Sequence, residues 1–484
     1  MQSRRDQVQA HQFIMGRLSA GMLRADPDIS DTPQRRTSRG LALGIVVTVL
    51  LGIGTFLFGL IMPGGATGWK VAGTVVVEKE SGARWIFLDG ALHPVLNQAS
   101  AKLIAGNEMT VQTVSENSLI GTPRGGPVGI PGAPDGLPSA AALSSDSWLS
   151  CAAPVGGGKR DLTMLVGEAE GEPLTATDGA LVTGPDGTVF LVWSGQKWKM
   201  NTKSAGPAAL GYGTTDPIKV PAGFLNALPT GPDLIAPDVA GRGSAGPELA
   251  GGPSVIGQLF VDASKTPYLL TQQGLVPLTD TLSRLISGDP QTQAAAYGGK
   301  PVEARRIGAG DITAHSAPSS AKGVLTHGGV FPETPPRLVA DDSKQAVCVA
   351  TSPGPPVSTT VSLVPKEITD AAHPVQPLPG VTVTCARPDR VALEPGKGVL
   401  VGALPAGDGQ ANTPYQKTTY LVADNGVKYP IPSADALGKL GYPPPAVAMP
   451  AMLVDQLPTG PALDPAAAGQ PATTTLPASP APQC

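Results

Sequence analysis

Aromatic side chains and net charge are both low in this chain of 484 residues. Phe, Trp and Tyr together make up 4% of the sequence, which argues against a surface that stacks extensively on sugars. The formal net charge is −4, so the chain lacks the basic excess that binds nucleic acid. We therefore expect no nucleic-acid partner.

Sequence signatures of catalysis are missing as well. A phosphate-binding loop needs G-x-x-x-x-G-K-[ST]. The nearest stretch, 156–160, has Ala153 at the first glycine position and Arg160 in place of the hydroxyl residue, so we interpret it as a turn. No G-x-S-x-G element marks a serine nucleophile, and Asp341-Asp342 is interpreted as a solvated turn. The histidines show no metal-ligand spacing: His11, His93, His315, His327 and His373. We predict no catalytic residue, no cofactor and no metal site.

One long segment carries no charge at all. Residues 41–62 read LALGIVVTVLLGIGTFLFGLIM, which is long enough to cross a bilayer as a helix. A cleaved signal peptide is the main alternative, but its apolar region would be shorter and nearer the start. Arg35, Arg36 and Arg39 precede the segment, and the first base after it is Lys70. The positive-inside rule therefore predicts a single-pass plasma-membrane protein with residues 1–40 cytoplasmic and the rest extracytoplasmic.

The cytoplasmic segment contains a predicted helix at 7–24. Five residues recur at three- and four-residue spacing on one face, four of them apolar: Val8, His11, Met15, Leu18 and Met22. This face predicts either a partner- or membrane-surface helix, or a short helix that merely leads into the anchor. Asp26-Pro27 is expected to end it.

The outer region contains an internal duplication. Residues 220–234 and 449–463 share the string Leu-Pro-Thr-Gly-Pro at a constant offset of 229, and Leu-Gly-Tyr precedes each copy. A predicted hairpin stands before each copy, at 189–200 and 419–431. A second, weaker pair of hairpins lies at 85–95 and 267–278. Duplication of a two-unit half is the simplest account, and it predicts an internal pseudo-two-fold.

The predicted fold class is a mixed α+β extracytoplasmic domain with pseudo-two-fold duplication. It has a central part and four small repeat units, preceded by a cytoplasmic helix and one transmembrane helix. The chain divides into 1–40, the span 41–62, the outer domain 63–460 and a disordered Pro/Ala-rich tail at 461–484. The predicted unit limits are 75–120, 175–235, 255–312 and 395–460.

These features together resemble the EccB family of type VII (ESX) secretion components. The residues that carry the resemblance are QVQAHQFIMGRL at 7–18, RRTSRG at 35–40, PRGGPVGIPGAPDGLP at 123–138, WLSC at 148–151 and the repeated LPTGP. The resemblance implies a scaffold subunit of an actinobacterial membrane complex, with EccC, EccD, EccE and the mycosin protease as partners beside other EccB copies. Family members often carry an ATPase label. An ATPase component and a cell-wall-binding tether are therefore the alternative functions.

The resemblance also implies that Cys151 pairs with Cys348, and an oxidising compartment favours such a bridge. Two buried free thiols are the alternative. Whether Cys385 and Cys484 pair stays open. For self-association, we expect the unit hairpins to stand at the ends of the body and to present open edge strands to another copy.

Overall fold

The computed structural model describes residues 3–24, 33–61, 67–167, 171–201, 206–326, 329–354, 356–376, 378–404, 419–444 and 447–472. The chain begins with two long helices, α1 (Arg4–Arg24) and α2 (Pro33–Ile61). Residues Thr37–Gly59 of α2 are long and apolar enough to cross a membrane, and no part of this stretch is buried against the protein. The helix begins before the predicted span 41–62, because the polar residues 33–40 continue the same helical backbone hydrogen bonds. Met62 lies outside the described residues.

The first unit of the outer region shows how each unit is built. Unit 1 consists of β1 (Val75–Glu78), β2 (Arg84–Leu88), β3 (Ala91–Pro94), α3 (Gln98–Ala105) and β4 (Val111–Val114). The three strands β1, β2 and β3 pair antiparallel, and β4 returns parallel to β1. A parallel return needs a crossover, which α3 supplies. Asn97 caps the start of this helix, because its side chain accepts a hydrogen bond from Ser100 N at 2.9 Å.

The other elements follow in chain order. Three strands come next: β5 (Trp148–Gly156), β6 (Lys159–Val166) and β7 (Glu172–Pro173). Unit 2 contains β8 (Asp178–Thr183), β9 (Val189–Trp193), β10 (Gln196–Lys199), α4 (Gly206–Ala209), β11 (Ile218–Lys219) and α5 (Ala222–Asn226). Unit 3 contains β12 (Leu259–Val261), β13 (Pro267–Thr271), β14 (Gly274–Pro277), α6 (Asp280–Ser287), α7 (Pro290–Tyr297), β15 (Arg305–Arg306), α8 (Ala309–His315) and α9 (Ser320–Leu325).

The second half ends with a fourth unit. Before it lie β16 (Arg337–Leu338), β17 (Gln345–Ser352), β18 (Ser358–Pro365), α10 (Lys366–Asp370), β19 (His373–Pro374) and β20 (Arg390–Ala392). Unit 4 contains β21 (Gly398–Leu404), β22 (Thr419–Ala423), β23 (Lys428–Ile431), α11 (Ala434–Leu440), β24 (Val447–Pro450) and α12 (Ala451–Val454). A last helix, α13 (Pro465–Ala468), follows it.

All four units share one strand order, in which the third, second, first and fourth strands are neighbours. In each unit the fourth strand is parallel to the first. The hairpin similarity seen in sequence, unit 1 with unit 3 and unit 2 with unit 4, therefore extends to all four. The predicted unit limits themselves stay predictions.

Shared cores show how the units are arranged. Units 2 and 4 bury side chains together with the central sheet, which has the order β19-β20-β6-β5-β17-β18-β7. Unit 2 shares a second core with unit 3, and unit 4 shares a third with unit 1. Each end unit therefore packs on the unit from the other half of the chain. The order in space is unit 1, unit 4, central sheet, unit 2, unit 3.

The centre of this arrangement is the pairing of β5 with β17. The two strands are antiparallel, and Cys151 lies directly opposite Cys348. The residue pairs on the two sides of this cysteine pair are symmetric: Ala152 lies opposite Val347, and Ser150 lies opposite Val349. A two-fold rotation that interchanges β5 and β17 would superimpose one pair on the other. The pseudo-two-fold of the duplicated halves passes between the two cysteines.

The predicted disordered tail 461–484 is wrong for its first part. Leu463 is fully buried, and its N–H donates to Pro430 O at 2.7 Å. Asp464 caps α13 by accepting from Ala466 N at 3.0 Å, and Pro465 occupies the first helical turn. The helix packs on α3 and buries Ala468. Residues 473–484 lie outside the described residues.

Candidate assembly surfaces

Most of the described side chains of helix α1 are exposed. Val8, Met15, Leu18 and Met22 of the predicted face are all exposed, and so is Phe13 outside that face. Exposed apolar side chains along one helix are typical of a surface that another molecule covers. Asp26-Pro27 lies outside the described residues.

The repeated Leu-Pro-Thr-Gly-Pro string covers the edge strand of its own unit. In unit 2, Lys197 N donates to Pro229 O and Gly231 N donates to Lys197 O, both at 3.0 Å. In unit 4, the same two bonds join Lys428 to Pro458 and Gly460, both at 2.9 Å. The string therefore adds a short parallel strand to β10 and to β23, and these edges are closed to any other chain.

The glycine of the string is required by a close approach. A Cβ on Gly231 would lie 2.9 Å from Trp198 Cε2, and a Cβ on Gly460 would lie 2.6 Å from Tyr429 Cδ1. Neither glycine has a positive φ, so the cause is contact with the aromatic ring and not backbone freedom.

Units 1 and 3 close the corresponding edge in the same way. Leu92 N of β3 donates to Pro123 O at 2.8 Å, and Gly125 N donates back to Leu92 O at 2.9 Å. In unit 3, Ala317 N donates to Leu275 O of β14 at 3.0 Å. The PRGGP stretch that carries part of the family resemblance is thus the unit 1 counterpart of LPTGP.

The expectation of open hairpin edges is therefore wrong. The third strand of every unit is covered by the segment that follows it. The hairpin tips of units 2 and 4 also dock on the central sheet, because Thr359 Oγ1 donates to Gly195 O at 2.7 Å and Gly426 packs against Val391.

The tyrosine of the repeated Leu-Gly-Tyr joins unit 2 and unit 4 each to a proline carbonyl that is distant in sequence. Gly211 and Gly441 have positive φ values and follow the unit helices α4 and α11. The Tyr212 hydroxyl donates to Pro336 O at 2.8 Å, and the Tyr442 hydroxyl donates to Pro138 O at 2.9 Å. Burial raises the pKa of both phenols, so they remain protonated donors at physiological pH.

The structure joins Cys151 to Cys348 in a disulfide, and both residues are fully buried. The bond links the two halves at the pseudo-two-fold. Cys385 is also disulfide-bonded, while Cys484, the residue with which a second bridge was considered, lies outside the described residues. Arg35, Arg36 and Arg39 belong to the first turns of α2.

The glycine–lysine stretch at 156–160 contains the hairpin turn between β5 and β6, with positive φ at all three glycines. Lys159 is exposed. The Arg160 side chain is buried, forms an ion pair with Asp341 and donates to Ala152 O at 2.8 Å. The stretch therefore holds two strands together, and its amides are not arranged at a helix N-terminus as in a phosphate loop.

The other titratable residues considered from sequence form no catalytic cluster among the described residues. Asp342 accepts from Lys344 N at 2.9 Å in a local turn. His93 Nδ1 contacts Gly126 O at 3.0 Å, and His327 lies outside the described residues. In the part of the chain that the structure describes, no three His, Cys, Asp or Glu residues could hold a metal ion. A cleft of about 540 Å³ beside β14 has His315 as the one titratable residue in its lining.

Fold and surfaces together define a single-pass membrane protein with a duplicated outer body. A family model described as "Type VII secretion system ESX-1, transport TM domain B" matches residues 1–477. The chain belongs to this family, the EccB family of type VII secretion. A curated relative, "ESX-3 secretion system ATPase EccB3" of Mycolicibacterium smegmatis, is 29% identical over 95% of this chain and 89% of its own length.

Two solved structures share the fold. The periplasmic assembly from the ESX-5 inner membrane complex matches with a TM-score of 0.66 at 21% identity, over 86% of this chain and 99% of that chain. The EccB3 dimer from the ESX-3 core complex matches with a TM-score of 0.63 at 23% identity, over 82% of this chain and 99% of that chain. The predicted family and fold class are confirmed.

Proposed function

We propose that this chain is the membrane-anchored, extracytoplasmic scaffold subunit of a type VII secretion machine. The observation that carries the proposal is the joining of one exposed apolar helix to a body of four like units around a central sheet. In that body the repeated strings cover strand edges, and two buried tyrosines and one disulfide join distant segments. Such a body suits a subunit that positions others and supports export through them.

The orientation is part of the proposal. Arg35, Arg36 and Arg39 before the span, against Lys70 as the first base after it, support a cytoplasmic N-terminus. A membrane-impermeant protease, or a membrane-impermeant thiol probe against single cysteines introduced on either side of the span, tests it on cells with permeable walls. The outer region is expected to react and residues 1–40 to be protected; protection of the outer region would overturn the topology.

Self-association and docking complete the proposal. A single anchor gives every copy the same orientation in the membrane, so weak contacts between copies suffice. We expect other EccB copies, EccC, EccD, EccE and the mycosin protease as partners. The exposed α1 is the proposed contact with the cytoplasmic membrane components, EccC or EccD. Deleting residues 1–24 is expected to release the chain from those components and to leave the melting temperature of the outer region unchanged. Retention of the complex would refute the role of α1.

An ATPase function is one alternative, because the name of the relative from Mycolicibacterium smegmatis contains the word ATPase. The hairpin at 156–160 supports a structural role instead, because Arg160 is used to hold β5, β6 and the turn at Asp341 together. A cell-wall tether is the other alternative. Binding of the purified outer region to isolated cell wall separates it from a pure scaffold, which is expected to stay in solution.

A further inference from the structure

Three exposed apolar residues of unit 1 lie at one end of its sheet. Val71 is 61% exposed, Val111 is 54% exposed and Ile120 is 72% exposed. We call Val71, Val111 and Ile120 the entry patch, because the chain reaches unit 1 at this end. Single exposed apolar residues are ordinary, but a cluster at one end of a small unit is not.

Backbone contacts place Val71 and Val111 together. Thr74 N donates to Val71 O at 3.0 Å, and Val75 N donates to Thr110 O at 2.9 Å. The turn before β1 therefore lies beside the start of β4. The hydroxyls of Thr74 and Thr110 also contact each other at 3.3 Å.

The residue before Ile120, Leu119, is buried in one small core with Trp69, two residues before Val71. Phe87 N donates to Thr74 O at 3.1 Å, and Leu92 pairs with Phe87, so these residues share one level. Leu92 N donates to Pro123 O at 2.8 Å, which brings Pro123, three residues after Ile120, to that level. The opposite end of the sheet is the turn between β1 and β2, which contains the exposed Ser81.

The length of chain between the anchor and unit 1 brings this end to the bilayer. Residues 62–66 alone separate the end of α2 at Ile61 from the first described outer residue, Thr67. Even fully extended, that connection spans at most about 22 Å. The headgroup region beyond the hydrocarbon core is itself several ångströms thick. Unit 1 is therefore held within reach of the headgroups, with the entry patch on the side that the chain enters.

We propose that the entry patch rests on the outer lipid surface of the plasma membrane and fixes the tilt of the whole outer body. The charges around the patch are mixed, with exposed Lys70 against exposed Asp89 and Glu108. Docking is therefore driven by apolar contact with the headgroup boundary and does not require anionic lipid. This inference goes beyond the scaffold function and shares with it only the anchoring by α2.

Site-directed fluorescence quenching in nanodiscs of neutral phosphatidylcholine tests the proposal on the full-length chain. A fluorophore is attached to a cysteine introduced by V71C, S81C or V330C, with the native disulfides kept oxidised. A nitroxide carried on the lipid headgroup is the quencher. Ser81 is the control within unit 1, and Val330, which is 80% exposed on the segment after α9, is a distant control of the same residue type.

Quenching is expected at position 71 and not at 81 or 330. In the V111S/I120S background the quenching at position 71 is expected to be lost, while the melting temperature stays that of the parent because both side chains are exposed. Equal quenching at 71 and 81 would mean that unit 1 only tumbles on its tether, and it would overturn the proposal. So would quenching at 71 that V111S/I120S leaves intact. A chain that leaves the nanodisc would overturn the anchoring as well, which distinguishes the two failures.

Discussion

Replacement of Gly460 by alanine tests the role of the repeated LPTGP string. The new Cβ would lie 2.6 Å from Tyr429 Cδ1 and 3.2 Å from Val427 Cγ1. The Tyr429 ring is almost fully buried, and Asn425 Nδ2 donates to its hydroxyl at 2.9 Å, so the ring has no free direction in which to move. The string must therefore lift away from β23.

The cost follows from the contacts that are lost. Lifting the string breaks the two backbone hydrogen bonds to Lys428, worth about 1 kcal/mol each. Crowding against a packed ring adds about 1–3 kcal/mol. The sum is a loss of about 3–5 kcal/mol in the free energy of unfolding, which for a body of this size lowers the melting temperature by about 4–6 °C.

The assay is thermal unfolding of the outer region, residues 67–484, followed by light scattering for self-association. Gly438 is the matched control, because it lies in α11 and an added Cβ there meets nothing within 4 Å. G438A is expected to keep or slightly raise the melting temperature, since alanine is the better helix former. G460A is expected to melt lower and to associate through the uncovered edge of β23. A melting temperature of G460A equal to that of G438A would refute the edge-covering role.

Three further outcomes are expected. The double variant C151A/C348A removes a disulfide that closes a loop of 197 positions, worth about 5 kcal/mol in the chain-entropy treatment. It is expected to lower the melting temperature by about 6 °C. Free thiols at both positions in the oxidised wild type would contradict the disulfide. The K159A variant is expected to leave any phosphate release unaltered, whereas turnover that depends on Lys159 would establish the enzyme alternative. Y442F leaves the buried Pro138 carbonyl without its donor and is expected to lower the free energy of unfolding by about 1–3 kcal/mol in chemical denaturation; an unchanged free energy would contradict the role given to this hydrogen bond.

The anchor and the duplication could be predicted from sequence because both are local signals. An uncharged apolar run and a repeated string are visible without knowledge of any contact. What the repeats do could not be predicted, because their partners are remote in sequence. The Tyr442 hydroxyl meets a carbonyl 304 residues earlier, and the string at 457–461 closes a strand at 428–431.

The tail shows where composition misleads. Its Pro/Ala content predicts disorder, yet Asp464-Pro465 is a helix-start signal, and buried Leu463 anchors the segment beside β23. The expectation that the hairpin edges are open was wrong for a related reason. Hairpin signals predict two strands but not whether a third segment pairs with the outer one. The PRGGP stretch at 123–127 supplies that pairing in unit 1, and its glycine and proline content gave no sign of it.

The most direct test of the scaffold account is extraction of the tagged full-length chain from its native membrane in mild detergent. The account predicts co-purification with EccC, EccD and EccE, more than one copy of this chain in each particle, and loss of secretion when the chain is deleted. A lone monomer, together with secretion that continues in its absence, would contradict the account.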